Sequence, residues 1–285
     1  MAPSRPLTSR RRRLIGRLGP LGVLAVAAVT LGGCTFSWPT FGASHGRTVQ
    51  GQDIAKLYSG MFITGLVVAA IVWGLIFWCV VRYRRRKHDD SIPKQFQEHI
   101  PLEITYTVIP LIMVIVIFAF TVVTENAVDS VSHPPTATVS VLGYQWGWKF
   151  SYHNAKGLVV QTAETGAPQS VPSNYTAPIY PQLVIPAHET TKIILRSADV
   201  IHDFYVHAFN FDRFAQPGVT NVFEFTPTRT GVYPGQCSEY CGLYHSEMLF
   251  SVAVVSPQKY KSWLNYQEHH LNQPPKHFMN LDVSA

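Results

Sequence analysis

The run 58-YSGMFITGLVVAAIVWGLIFWCVV-81 contains no charged residue. A helix that crosses a bilayer needs about 20 consecutive apolar residues, because the hydrocarbon core is about 30 Å thick. The run therefore predicts a transmembrane helix. A second run, 102-LEITYTVIPLIMVIVIFAFTVV-123, contains one charged residue, Glu103, close to its start. Only residues 82–101 separate the two runs, so the sequence predicts a transmembrane hairpin.

Basic residues indicate the orientation of this hairpin. The first run is followed at once by 82-RYRRRK-87, and cytoplasmic loops are enriched in Lys and Arg. The loop 82–101 is therefore predicted to be cytoplasmic. Residues 34–57 and the chain after residue 123 are then predicted to lie on the extracytoplasmic side of the cell membrane.

The first 33 residues are predicted to be a secretory signal peptide. An arginine cluster at residues 10–13 forms its positive start, and residues 18–31 form its apolar segment. The segment ends 31-LGGC-34, which resembles a bacterial lipobox, so we expect cleavage before Cys34 and lipidation of its sulfur. An uncleaved signal anchor is the alternative.

The charge distribution argues against a nucleic-acid-binding protein. The chain has a net charge of +6, yet residues 124–285 hold nine Lys or Arg against twelve Asp or Glu, a net of −3. The excess positive charge lies in residues 5–17 and 82–94, beside the apolar segments. A nucleic-acid-binding protein would place it on the folded domain instead.

Residues 124–257 are predicted to form an all-β domain. The run 137-ATVSVLGYQWGWKFSY-152 is rich in β-branched and aromatic residues, and 249-LFSVAVVSP-257 alternates in polarity. The run 182-QLVIPAHETTKIILRS-197 predicts two strands separated near Pro186. Short strands divided by Pro, Gly and Asn predict a Greek-key sandwich or barrel.

Two segments interrupt or follow these strands. Residues 153–181 are rich in Pro, Ser, Thr and Gly, so they are predicted to be a surface insertion. Residues 258–285 are predicted to be a polar tail, with a helix around residues 257–270.

The stretch 236-QCSEYCGLYHSEML-249 concentrates side chains that bind metals. Its two thiols, one imidazole and one thioether belong to Cys237, Cys241, His245 and Met248. Another imidazole, that of His202, lies upstream on the apolar strand segment 199-DVIHDFYV-206. We therefore consider what this donor set could hold.

Three interpretations of the cysteines compete. A disulfide is common outside the cytoplasm, but it explains neither the histidines nor the methionine. Zinc accepts two Cys and two His, but it has no use for a thioether. Copper suits thiolates and imidazoles, and a weak Met ligand is typical of copper electron-transfer sites, either with one cysteine or with two that bridge two ions.

These segments resemble cytochrome c oxidase subunit II. The loop 236-QCSEYCGLYHSEM-248 resembles the dinuclear copper loop of that family, and 197-SADVIHDFYV-206 resembles the strand with its first copper histidine. The resemblance extends to 143-GYQWGW-148 and covers residues 55–150 and 182–257. Quinol oxidase subunits share the hairpin and the sandwich but lack the cysteines.

The resemblance implies a ligand set for two copper ions. The side chains are those of His202, Cys237, Cys241, His245 and Met248, and the backbone carbonyl of Glu239 completes the set. In the family, the carboxylate at the position of Glu239 also binds a magnesium ion shared with subunit I. The sandwich is then expected to be cupredoxin-like.

The resemblance also implies roles for two residues outside the copper set. Trp146 matches the exposed tryptophan through which cytochrome c passes its electron. The alternative is a core aromatic, since Trp148 faces the same way if both lie in one strand. Glu103 matches a glutamate at the mouth of a proton channel into subunit I, and the alternative is a hydrated interfacial carboxylate.

The implied function is that of the copper-bearing subunit of a haem–copper terminal oxidase. It would pass electrons from cytochrome c to the haem of subunit I for oxygen reduction coupled to proton translocation. Its expected partners are subunit I, further oxidase subunits, and a cytochrome c that is free or held by a cytochrome c reductase complex. A copper-storage or copper-delivery lipoprotein and a quinol oxidase subunit are the alternatives.

Overall fold

The computed structural model describes residues 40–85, 92, 95–131, 134–153, 159–162 and 180–270. The chain divides into two units, residues 1–43 and 44–285, and the helices and strands below belong to the second. The predicted signal peptide and Cys34 lie outside the described residues, as do most of the 153–181 insertion and the tail after residue 270.

Two long helices contain the apolar runs: α1 spans Val49–Arg82 and α2 spans Ile100–Asp129. Both are long and apolar enough to cross a membrane, with hydropathies of 2.4 and 2.7. Helix α1 begins well before residue 58, because Thr48 caps it by accepting the N–H of Gly51 at 2.9 Å. The part of α1 before residue 58 lies next to the β domain, where Gly51 and Ala55 are buried.

Among the described residues that follow these helices, ten strands form a β domain. They are β1 (Ala137–Tyr144), β2 (Gly147–His153), β3 (Val159–Thr162), β4 (Gln182–Pro186), β5 (Thr191–Ser197), β6 (His202–Val206), β7 (Phe211–Ala215), β8 (Asn221–Phe225), β9 (Gly231–Cys237) and β10 (Leu249–Val255). One five-stranded sheet has the order β3-β2-β1-β5-β8, and the other has the order β4-β10-β9-β6-β7. The pairs β1–β5 and β4–β10 are parallel, whereas the other neighbours are antiparallel.

Aromatic and aliphatic side chains together fill the space between the two sheets. Along β1, buried and half-buried residues alternate, as expected for a strand with one face on the core. Trp148 from the first sheet packs edge-on against Phe204 and Phe250 from the second, with ring centroids 5.7 and 5.4 Å apart. The predicted β-sandwich anchored by a helical hairpin is confirmed.

A third helix closes the described part of the domain. Helix α3 spans Pro257–His269, as predicted for the start of the tail, and Ser256 caps it. Its Tyr260 and Trp263 are buried, and the Trp263 ring lies 5.0 Å from that of Tyr152. The beginning of the tail is therefore part of the folded domain.

Backbone hydrogen bonds join the start of α1 to the β domain. The N–H of Arg47 donates to the carbonyl of Ala208 at 2.8 Å, and the N–H of Val49 donates to that of Thr226 at 3.0 Å. The side chain of Asn210 donates to the carbonyl of Gly51 at 3.1 Å. At the end of α2, Asp129 forms an ion pair with Arg213 of β7 at 2.5 Å. The domain is therefore in contact with the N-terminal end of α1 and the C-terminal end of α2.

Gly51 tests this junction, because a Cβ atom there would lie 2.1 Å from the carbonyl oxygen of Phe209. We expect Gly51→Ala to lower the free energy of unfolding by about 1–3 kcal/mol, the usual cost of overpacking. Thermal unfolding of the full chain in detergent measures this loss.

Gly60→Ala is the matched control, since Gly60 lies in the same helix and has no neighbour within 4 Å of an added Cβ. Equal unfolding temperatures for the two variants would contradict the tight junction.

Candidate metal centre

Two paired strands and one loop bring the metal-binding side chains together. His202 begins β6, Cys237 ends β9, and these strands are antiparallel neighbours with Phe204 opposite Cys237. The remaining donors lie in the connection from β9 to β10, which contains a single 3-10 turn, His245–Glu247. Residues distant in sequence thus meet at one end of the second sheet.

The six predicted copper ligands converge in the structure. The Cys237 sulfur lies 3.9 Å from the Cys241 sulfur, 4.0 Å from Nδ1 of His202 and 3.3 Å from the carbonyl oxygen of Glu239. The Cys241 sulfur lies 3.6 Å from Nδ1 of His245 and 3.7 Å from the Met248 sulfur. Each thiol therefore has its own imidazole and its own weaker donor.

The spacing of the two sulfurs fits shared metal ions. A disulfide holds its sulfurs about 2.05 Å apart, and both cysteines are free thiols at 3.9 Å. Twice a metal–thiolate distance of about 2.3 Å is about 4.6 Å, so an ion on either side of the pair can contact both sulfurs. The donor set fits a thiolate-bridged pair of soft ions.

Water has little access to these donors. His202 is fully buried, and Cys237, Cys241 and Met248 are at most 4% exposed, whereas His245 is half-buried. Burial raises the pKa of the Cys237 thiol, and burial together with the neighbouring Cys237 raises the pKa of Cys241 to about 12. Without a metal the thiols stay protonated at neutral pH, so metal binding must displace their protons.

Asp199 orients the buried histidine. Its Oδ1 lies 2.8 Å from Nε2 of His202, which leaves Nδ1 of that ring directed at Cys237. Partial burial alone would raise the pKa of Asp199, but hydrogen bonds from His202 and from the backbone N–H groups of Gln145 and Val200 outweigh it and lower the pKa. A carboxylate on the second ring nitrogen fixes the tautomer of a metal-binding histidine.

Sequence reasoning missed Asp199. The signal was present, because the segment 199-DVIH-202 places the carboxylate three residues before the histidine. It also missed Gly143, where a Cβ atom would lie 3.1 Å from the His202 ring and 3.2 Å from that of Trp148. A side chain at this position would crowd both rings, so the glycine lets them approach β1 closely.

Trp146 and Trp148 lie in different environments. The run 137–152 forms a hairpin rather than one strand, and Gln145 and Trp146 form its turn. The two tryptophans therefore do not lie in one strand, which is the condition for interpreting Trp146 as a core aromatic like Trp148. Trp148 is buried in the core and donates its N–H to the Met248 carbonyl at 3.3 Å. Trp146 is half-buried and donates its N–H to the Cys241 carbonyl at 3.2 Å, directly over the metal-binding loop.

Glu103 lies far from this loop, in the first turn of α2. Its Oε1 accepts the backbone N–H of His99 at 2.9 Å, and the His99 ring accepts the N–H of Leu102 at 3.3 Å. The two side chains form a reciprocal cap for the helix. The carboxylate therefore has a structural role in addition to any role in proton transfer.

Glu239 and Asp203 lie beside the ligands without joining them through their carboxylates. Glu239 is half-buried and turns its carbonyl towards Cys237. Asp203 accepts a hydrogen bond from the Ser238 hydroxyl, and its burial raises its pKa.

Comparison with known proteins identifies the family. Residues 137–255 match the family described as cytochrome c oxidase subunit II, periplasmic domain, and residues 37–123 match the corresponding transmembrane domain. A probable cytochrome c oxidase subunit 2 of Streptomyces avermitilis is 34% identical over 288 residues, which cover 92% of this chain and 88% of that protein. The chain belongs to the cytochrome c oxidase subunit II family.

Other known proteins are similar to the chain as well. Cytochrome c oxidase subunit 2 of Mycobacterium bovis is 31% identical over 302 residues, which cover 88% of this chain and 82% of that protein. Among solved structures, the periplasmic domain of subunit II of cytochrome oxidase from Bradyrhizobium japonicum is 26% identical with a TM-score of 0.40, and the match covers 49% of this chain and 98% of that chain.

Membership of the cytochrome c oxidase subunit II family confirms the predicted identity of the chain, its membrane anchor and the side of the membrane on which the β domain lies. The chain is the second subunit of a haem–copper oxidase, and the predicted recognition is confirmed. The two apolar helices are its membrane anchor, and the β domain lies on the extracytoplasmic side. A copper-storage or copper-delivery lipoprotein is therefore excluded.

Asp199→Asn tests the orientation of His202, because it keeps the size of the side chain and removes the charge. We expect copper to bind about 10–100-fold more weakly, which is the usual effect of losing the partner of a ligand histidine. Competition with a copper chelator, using the full chain in detergent, measures the affinity.

Asp212→Asn makes the same change at an exposed aspartate of β7 and should leave the affinity unaltered. A wild-type affinity for Asp199→Asn would show that Asp199 does not position the ligand.

Proposed function

We propose that this subunit accepts electrons from cytochrome c at a dinuclear copper centre and passes them to the haem of subunit I. There they would serve oxygen reduction coupled to proton translocation. The observation that carries the proposal is the pairing of donors around two thiols 3.9 Å apart. A copper pair bound there would share one electron across both thiolates, so that its bonds change little on reduction.

The protein supports this chemistry by holding the donors rigidly. His202 and Cys237 lie at the ends of paired strands, and the N–H of Cys237 donates to the Met248 carbonyl at 3.1 Å. That carbonyl also accepts the Trp148 indole N–H. Donors fixed in this way would keep their positions when a bound metal gains or loses an electron, and their burial excludes water.

The position of Trp146 supports its proposed role as the point where electrons arrive. The Trp146 indole donates a hydrogen bond to the Cys241 carbonyl. From that carbonyl, only the covalent bonds within Cys241 separate the ring from the Cys241 sulfur. The Trp146 ring packs edge-on against that of Tyr244, 5.1 Å away. In the same loop Tyr240 and Leu243 are 78% and 76% exposed, so the loop presents a largely apolar contact surface. The net charge of −3 on residues 124–285 would attract a basic cytochrome c, and salt would weaken this attraction.

The remaining predicted sites stay proposals. We propose that Glu103 admits protons to subunit I at the cytoplasmic end of α2, and that the Glu239 carboxylate binds a magnesium ion shared with that subunit. We also propose that a signal peptide over residues 1–33 is removed and that Cys34 is lipidated, which the mass of the mature N-terminus would test. The membrane-spanning extents 58–81 and 102–123 and the further oxidase subunits belong to the same proposal.

The metal count separates the proposed centre from a zinc site. We expect two copper ions per chain, because each thiol has its own imidazole and weak donor. Elemental analysis of the purified subunit, with an optical spectrum, measures the number and type of ions. One zinc ion and no copper after reconstitution with copper would contradict the proposal.

Variants at Trp146 and Glu103 separate electron arrival from proton uptake. Trp146→Phe keeps an apolar ring but removes the donor to Cys241, so the purified oxidase should oxidise cytochrome c more slowly. Glu103→Gln keeps a side chain that can cap α2 but removes the titratable proton. Its copper reduction should stay fast while steady-state oxygen consumption falls, as stopped-flow and oxygen-electrode measurements would show.

Glu103→Ala removes the cap together with the proton, so its comparison with Glu103→Gln separates helix capping from proton transfer. Slower copper reduction in Glu103→Gln, with unchanged turnover otherwise, would contradict the proton assignment. Wild-type kinetics in Trp146→Phe would leave Trp146 with a packing role only.

A further inference from the structure

The turn between β1 and β2 contacts both halves of the metal centre through one residue. The backbone N–H of Gln145 donates to Oδ2 of Asp199 at 2.7 Å, and Asp199 holds the His202 ring. The side-chain Nε2 of Gln145 donates to the carbonyl oxygen of Cys241, also at 2.7 Å. The same residue is thus bonded to the histidine side and to the cysteine side of the centre.

The Cys241 carbonyl needs such a partner because of its place in the chain. Cys241 lies between β9 and β10, outside the strands, so no sheet ladder fixes the backbone that carries its thiol. A carbonyl oxygen has two lone pairs. Gln145 and Trp146 each donate to this oxygen, at 2.7 and 3.2 Å, so one turn fills both acceptor positions.

On the loop side of this contact, Gly242 follows Cys241 directly. Its φ of +126° is rarely adopted by residues with a side chain, and a Cβ atom there would lie 3.0 Å from the Trp146 indole nitrogen. The backbone of the loop is therefore shaped to let the turn approach closely.

We propose that Gln145 is a positioning residue, which locks the Cys241 segment of the metal-binding loop against the Asp199–His202 pair. The proposal rests on the proposed copper function. It adds a residue that binds no metal itself but holds the backbone of the metal-binding loop in place. Gln145 itself is exposed, so it adds little apolar packing. Its effect should therefore appear in the metal centre and hardly at all in the stability of the fold.

The test uses the full chain in detergent, loaded with copper. Gln145→Met keeps the length of the side chain and removes the donor. By the usual effect of losing an outer-shell hydrogen bond, copper should pass to a chelator about ten-fold faster, and the midpoint potential of the centre should shift. Thermal unfolding of the metal-free chain should stay at the wild-type temperature, because the substituted side chain is exposed.

Two further variants and one control sharpen the result. Gln145→Lys restores an N–H donor and should slow copper loss towards the wild-type rate. Gln145→Glu places a carboxylate against the carbonyl and should lose copper faster than Gln145→Met. Gln258→Met makes the same chemical change at an exposed position of α3 and should leave copper retention and potential unaltered.

A double-mutant cycle with Trp146→Phe tests whether the two donors share one carbonyl. Each single variant leaves that oxygen with one donor, and the double variant leaves it with neither. The effect of the double variant on copper loss should therefore exceed the combined effect of the two single variants.

The outcomes separate this proposal from the proposed function. A wild-type chain that binds no copper pair would overturn the function. Normal copper in the wild type, with unchanged retention and potential in Gln145→Met, would overturn the positioning role alone. Strictly additive effects in the cycle would show that the two donors act independently, which also contradicts the shared lock.

Discussion

The antiparallel pairing of β6 with β9 is the constraint on which the metal centre depends. It brings the His202 ring to within 4.0 Å of a thiol that lies 35 residues away in sequence. Ordering these two donors costs conformational entropy, and the backbone hydrogen bonds between the strands offset that loss. The loop then needs to place only the second thiol, the second imidazole and the thioether.

The loop is less regular than the strands, so its order comes from side chains of other elements. Trp148 holds the Met248 carbonyl from the core, and the β1–β2 turn holds the Cys241 carbonyl from the surface. The donors are thereby fixed from both sides of the loop. This arrangement explains why a buried site can be built from a segment that contributes only one 3-10 turn of regular structure.

Part of this architecture could be predicted from the sequence. Apolar length predicted the two helices, and alternation and β-branched content predicted the sandwich. The soft donor types, together with the resemblance to the subunit II family, predicted a copper site. These signals are local, because each depends on residue type and on short spacing. The predicted ligands His202, Cys237 and Cys241 do meet, as a group that could hold a metal.

The features that the sequence did not reveal depend on which strands become neighbours. Asp199 and Gln145 are 54 residues apart, so their hydrogen bond follows from the parallel pairing of β1 with β5. The turn at Trp146 could not be predicted from the sequence, because the residues before it and after it favour strands equally. The early start of α1 was hidden because its first residues are stabilised by the β domain, through contacts with Ala208, Thr226 and Asn210.

Because α1 is one continuous helix, its length sets how the β domain is rotated about the helix axis. Since α1 runs without a break from Val49 to Arg82, the β domain joined to its first turn rotates with it. Adding or removing one residue between Gly51 and the membrane would turn the domain by about 100° around the helix axis. The metal-binding loop and the turn at Trp146 would then face a different direction along the membrane surface. The number of residues in this helix therefore sets the direction in which the metal-binding loop faces around the helix axis.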